Sequence, residues 1–174
     1  MNWLYEKSEN NHYRFVLGAV GKKPLVCFGI NPSTAVPRCL DNTIRSVERI
    51  TFNNGFDGWI MLNVYPQIAT NPDDLHTSRK ERIHSLNLFY IEEVFKRNNL
   101  IIWAAWGNLI GKREYLPNCL KDIIVLSNKY NCQWVTSGDV TVKGNPRHPL
   151  FLKQTTQLQD FDIDSYSCRN GIGG

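Results

Sequence analysis

Apolar residues gather along the chain in four runs: Pro24–Ile30 (PLVCFGI), Trp59–Tyr65 (WIMLNVY), Leu100–Trp106 (LIIWAAW) and Gln133–Thr136 (QWVT). The first three are continuously apolar rather than alternating, as in strands buried on both faces of a parallel sheet. A shorter run, Arg14–Leu17, precedes them and is expected to pair at an edge. Helical spacing lies between the runs. Asp41-Asn42-Thr43 offers an N-cap ahead of Ile44, Val47 and Ile50, which are spaced three apart. Ser78 with Glu81 reads as a capping box, opening a helix whose face is marked by Ile83, Leu86, Tyr90 and Val94. Leu116 to Leu126, with Leu120, Ile123 and Ile124, gives a third helix. Strand and helix thus alternate, which predicts an α/β fold: a three-layer αβα sandwich around a central, mainly parallel four-stranded sheet. No repeat, linker or shift of composition divides the chain. Residues 1–160 are read as one domain and residues 161–174 as a polar, flexible tail.

In such sheets ligands bind beyond the carboxyl ends of the strands, and the unusual polar residues sit there. The first run ends in Gly29-Ile30-Asn31-Pro32-Ser33. Glycine admits close backbone approach and proline stiffens the turn that aims Asn31. Asn63 closes the second run. An unpaired carboxamide in a core costs about 1–3 kcal/mol, so Asn63 either makes a local turn or meets a ligand. The third run ends in Trp106-Gly107-Asn108, where Trp106 is either core or pocket wall. After the fourth comes Gly144-Asn145-Pro146-Arg147-His148-Pro149-Leu150-Phe151, with two prolines bracketing Arg147 and His148. A structural histidine and a catalytic one both remain open.

Composition adds exclusions. The 174 residues are 42% hydrophobic and 21% charged, which is ordinary for a globular protein. No apolar run approaches the ~20 residues of a membrane helix, and the N-terminus lacks a signal-peptide core, so a cytoplasmic location is expected. The five cysteines are odd in number and none pairs as CxxC, which predicts reduced thiols. The histidines show no metal-ligand spacing, and an iron–sulfur cluster needs four suitably placed thiols. No metal and no cofactor are expected. The net charge of +4 is compatible with a phosphate-binding face, but weakly so.

Taken in order, the strand-end motifs resemble the uracil-DNA glycosylase superfamily. Gly29-Ile30-Asn31-Pro32 is similar to the first motif of its mismatch-specific branch, and Leu62-Asn63 to the asparagine that reads a flipped base. Ile101–Gly107 resembles the third-strand segment. His148-Pro149-Leu150 resembles the loop that contacts the base and wedges the duplex. From about Tyr13 to Leu152 the chain also resembles a family of small bacterial and phage proteins carrying Asn31–Ala35 (NPSTA) and Asp41–Arg45 (DNTIR).

The resemblance implies a monofunctional DNA glycosylase that extrudes one pyrimidine from double-stranded DNA and hydrolyses its glycosidic bond. It makes Asn31 and His148 the catalytic pair. Asn31 would orient a water, since an amide is no base near neutral pH, and His148 would stabilise the departing base. Gly29, Ile30, Ser33, Asn63 and Trp106 would hold the base. Leu150 or Phe151 would fill the gap in the duplex, and Arg147, Arg38, Arg45 and Lys143 would meet DNA. No lysine falls among the matched motifs, so no Schiff-base lyase step is implied. Ser33 stands where strict uracil enzymes carry a tyrosine against pyrimidine C5, which leaves room for a substituent. A hydroxymethylated or glucosylated cytosine of phage DNA is the expected target, excised as an antiviral act in a bacterial or phage-infected cell. Mispaired uracil or thymine is the conservative choice. No obligate protein partner and no membrane are implied. Two other readings stay open: a non-catalytic nucleic-acid or nucleotide-binding module, and a nucleotide or nucleoside hydrolase.

Overall fold

In the computed structural model, which describes residues 2–172, the apolar runs form the middle of a seven-stranded mixed sheet accompanied by four α-helices. The strands are β1 (Asn2–Lys7), β2 (Arg14–Val20), β3 (Pro24–Gly29), β4 (Gly58–Asn63), β5 (Ile101–Ala104), β6 (Gln133–Thr136) and β7 (Gln159–Asp160). The helices are α1 (Asn42–Asn53), α2 (Glu81–Phe95), α3 (Leu116–Lys129) and α4 (Ile163–Arg169). Strand order is β1-β2-β4-β3-β5-β6-β7. The four apolar runs pair in parallel, β3 with both β4 and β5, and β5 with β6. Antiparallel strands extend the sheet at both ends.

The sheet is therefore larger than the four strands expected from apolar runs. Nor is β2 an edge, because it pairs with β1 on one side and β4 on the other. Its outer neighbour β1 alternates in a way the run-based reading passes over. Trp3 and Tyr5 pack on one face of the sheet and Leu4 on the other, the period-2 signature of a strand.

Alternation also divides the central strands between two cores. Leu25, Cys27, Trp59 and Met61 pack with Ile44, Val47 and Ile50 of α1. Val26, Phe28, Ile60 and Leu62 pack with the side chains of α2 and α3, among them Ile91, Phe95, Leu120 and Ile123. Each such fully buried side chain contributes about 1.5–3 kcal/mol. Asp41 caps α1 as its position predicts, accepting a hydrogen bond from the Ile44 amide.

The second helix departs from expectation in two respects. Its N-cap is Lys80, with no side-chain cap, and Glu81 is occupied by Arg79 at 2.7 Å. Ser78 lies outside the helix, so no capping box forms. The buried face carries His84, Asn87, Ile91, Val94 and Phe95, whereas Leu86 is exposed and Ile83 and Tyr90 are only partly covered. Polar side chains with partners take the inner positions. Asn87 Nδ2 donates to the Asn63 carbonyl at 3.0 Å, and His84 Nε2 bonds Asp122 at 2.8 Å. Apolarity alone therefore found Val94 and, in part, Ile83 and Tyr90, but missed the polar residues at the centre of the face.

The segment after Phe161 is not the tail its polarity suggests. Asp162 caps α4 through the Ser165 amide at 2.8 Å. Ile163, Tyr166 and Ile172 are buried in the core shared with α2 and α3. Three apolar residues dispersed among polar ones are enough to dock so short a helix. Gly173 and Gly174 lie outside the described residues. No helix among the described residues is long and apolar enough to cross a membrane.

Candidate functional site

Beyond the carboxyl ends of β3 and β4 the chain leaves the sheet in two segments zipped together. The Val64 and Tyr65 amides donate to the Gly29 and Ile30 carbonyls, both at 2.9 Å, and Ala69 N–H to the Pro32 carbonyl at 3.0 Å. Between these segments, the start of α1 and the loop after β6 lies a cavity of about 200 Å³. Gly29, Ile30, Asn31 and Ser33 line it from one side, Trp106 and His148 from the other. Residues up to 134 positions apart in sequence meet there, Arg14 and His148 being the extremes. Pockets for drug-sized ligands run to about 300–1,000 Å³, so this one suits a single ring.

Asn31 is held with one polar atom to spare. Its Nδ2 donates to the Ala69 carbonyl at 2.7 Å and the Pro32 carbonyl at 3.0 Å. That orientation fixes Oδ1 as the remaining acceptor.

His148 is fixed from the other direction. It precedes a short 3-10 helix, Pro149–Phe151, and its Nδ1 accepts the Leu150 N–H at 3.3 Å. In the neutral ring the proton then sits on Nε2, which becomes a donor. Burial lowers the pKa of the ring below its ordinary value, and the charge of Asp41 works in the opposite sense. Two neighbours set its position. Gly107 has φ +62°, and a Cβ there would lie 3.4 Å from the His148 Cβ. Ser46 of α1 donates to the Pro149 carbonyl at 2.8 Å.

Trp106 is fully buried and serves as both wall and core. Its Nε1 donates to the Tyr166 hydroxyl at 3.0 Å, which donates to Asn145 Oδ1 at 2.8 Å. Asn145 in turn donates to Asn108 Oδ1 at 3.1 Å. This chain of bonds ties α4 to the loop that carries His148.

Outside the cavity a second hollow, about 380 Å³, shares Trp106, Leu109 and His148 with it and adds Arg147, Leu150 and Phe151. Leu150 is 46% and Phe151 79% exposed, two adjacent apolar side chains at the rim of this hollow. Arg147 belongs to this outer hollow and not to the cavity. Arg38 and Arg45 are exposed, Arg45 donating to the Leu40 carbonyl at 3.1 Å. Lys143 is also exposed and lines a neighbouring hollow with Asn108 and Tyr166.

Asn63 is not among the residues lining the cavity. It is 1% exposed, and neither amide atom has a partner among the described residues. A Cβ on Gly29 would lie 2.6 Å from Met61 Cε and 3.3 Å from Asn63 Oδ1. The bare glycine therefore leaves the Met61 methyl and the Asn63 amide close behind the wall.

Two charged lining residues went unrecognised in the sequence as site residues, Arg14 and Asp41. Arg14 is 2% exposed, and its Nη1 donates to the Ala35 carbonyl at 2.7 Å. Burial pulls its pKa down to about 10, opposed by the charge of Asp41. Complete burial of an arginine is rare. The signal was a charge opening an otherwise apolar strand, Arg14-Phe15-Val16-Leu17.

These features define an α/β protein with a small cavity of mixed polar and apolar lining at the carboxyl ends of its parallel strands. The chain belongs to the family described as protein of unknown function (DUF1643), whose family model matches residues 14–150. That span runs from the first residue of β2 to the exposed Leu150. Comparison with curated proteins and with solved structures found no match.

Proposed function

We infer that the protein is a monofunctional DNA glycosylase acting on a pyrimidine turned out of the duplex. The observation that carries the reading is the meeting of Asn31 and His148 at one cavity of single-ring size, beneath an exposed apolar rim. The elements supply each part of the task. The sheet with α1 on one face and α2 and α3 on the other reads as the three-layer αβα arrangement, its parallel strands aiming loops at one end. Leu150 and Phe151 enter the gap left by the base. Arg147, Arg38, Arg45 and Lys143 meet phosphates.

Cleavage of the glycosidic bond leaves negative charge on the departing base. His148, neutral and carrying its proton on Nε2, donates to that charge as it develops. Asn31 Oδ1 accepts from a water and directs it toward the sugar carbon, which is positioning and not proton abstraction, and the proton lost as the water adds ends on the departing base anion. Gly29, Ile30, Ser33 and Trp106 enclose the ring, and a shift of the flexible Met61 side chain brings the Asn63 amide into contact. Ser33, a small residue on the wall, leaves room for a substituent at C5. We propose a C5-modified cytosine, such as a hydroxymethylated or glucosylated one of phage DNA, as the substrate, and an antiviral role for its removal.

The test is a glycosylase assay on defined duplexes with plain or C5-substituted pyrimidines, scored by alkali-labile strand scission. Release of the substituted base is expected, along with little activity on free nucleotides. Activity should fall with added salt as phosphate contacts release counterions. Release of plain uracil alone overturns the C5 assignment. Activity on mononucleotides alone overturns the DNA assignment.

A further inference from the structure

Arg14 and Asp41 carry opposite charges on the wall of one cavity, yet form no ion pair with each other among the described residues. Oppositely charged side chains that share a small, half-dry space normally close on each other. Here each is held back by a different bond. Arg14 Nη1 is anchored on the Ala35 carbonyl, and Asp41 Oδ1 on the Ile44 amide at the start of α1. Arg14 Nε is buried without a hydrogen-bond partner among the described residues. The Asp41 side chain makes no other hydrogen bond among the described residues. Two oppositely charged side chains, each fixed by one bond to the backbone, thus line the same cavity. Leaving a buried donor unpaired costs about 1–3 kcal/mol, more for charged groups, and a ligand that fits between them removes that cost.

We propose that Arg14 and Asp41 grip the edge of the ring held in the cavity, Arg14 donating to a ring carbonyl or nitrogen and Asp41 accepting an adjacent N–H. The ligand class is a planar heterocycle with a neighbouring acceptor and N–H donor, as pyrimidine bases present on their pairing edge. The inference rests on the reading of the cavity as a base pocket, but not on hydrolysis occurring there. It gives the recognition of that edge to Arg14 and Asp41, with Asn63 as a further contact behind Met61.

Because the two groups divide the donor and acceptor roles, each can be tested by a minimal change. The probes are 1-methyluracil, whose methyl stands where the sugar attaches, and 1,3-dimethyluracil. The second keeps both carbonyls but lacks the ring N–H. Titration calorimetry on the full-length protein is expected to show at least about tenfold tighter binding of 1-methyluracil, the effect of one charge-assisted hydrogen bond. The Arg14 Nε–H resonance should move in the NMR spectrum on titration, a readout that needs no variant. Asp41→Asn retains the helix cap through its single oxygen and turns an NH₂ toward the cavity. It is expected to abolish the preference for 1-methyluracil. Arg14→Lys, which keeps the charge but lacks Nε, should weaken 1-methyluracil by about tenfold or more.

Equal affinities for the two probes, binding of neither, an unmoved Arg14 resonance or an unchanged preference in Asp41→Asn would each overturn the proposal. Failures of the two readings are distinguishable. Edge discrimination without base release from any duplex leaves Arg14 and Asp41 standing and removes the glycosylase. Base release with no discrimination does the reverse.

Discussion

Replacing His148 with alanine is expected to slow base release by about 10²–10³-fold, the usual loss when one donor to a developing negative charge is removed. Single-turnover kinetics on the preferred duplex measures it. DNA affinity should change little, because the phosphate contacts assigned to Arg147, Arg38, Arg45 and Lys143 remain. A pH signature accompanies this. Burial holds the His148 ring neutral to lower pH than the ordinary value of about 6.5. The rate is therefore expected to be flat between about pH 7 and 8, where the neutral ring already carries its proton on Nε2. Below that range the unfolded chain takes up a proton before the folded one does. The stability contribution is complete above the unfolded pKa and is lost as pH falls through the folded one. Protonation also ends the Leu150 N–H to Nδ1 bond, since an imidazolium has no acceptor. His148→Ala should remove this part of the acid limb of the Tm–pH curve. The part due to His76, lowered by burial and by Lys80, should remain. A variant with wild-type rate would take His148 out of the chemistry.

Tyr166→Ala is expected to cost about 3–5 kcal/mol of stability, as for other large aromatic side chains cut back in a core. The residue is 1% exposed, and its ring packs against those of Trp106 and Phe161. Its hydroxyl accepts from Trp106 and donates to Asn145, so removal leaves two buried polar groups without partners. Tyr166→Phe, which keeps the ring, should cost only about 1–3 kcal/mol. Urea denaturation gives both values. A loss below about 1 kcal/mol for the alanine variant would mean that α4 is not part of the folded core.

Tyr166 also marks where sequence patterning stops being informative. The continuously apolar strands were legible because burial on both faces leaves no alternation to misread, and Asp41 because an N-cap acts within three residues. The polar centre of the α2 face was not. Asn87 and His84 point inward because a carbonyl on β4 and a carboxylate on α3 await them, and neither partner is local in sequence. The same reason hid α4, whose Tyr166 meets Trp106 sixty residues earlier in the chain, and β1, whose Trp3 packs on Trp59. At the site, the motif residues Asn31 and His148 stood out through their glycine and proline neighbours, which announce a constrained turn. Arg14 carried no such marker. Its importance comes from where the sheet puts it, two strands from β3 and at the cavity wall.

The most direct measurement is mass spectrometry of bases liberated when the protein is incubated with natural bacterial and phage DNAs. The expected result is one pyrimidine set free in amounts equal to the abasic sites formed, and none with Asn31→Ala. Folded wild-type protein that binds these DNAs and liberates no base from any of them would contradict the glycosylase reading.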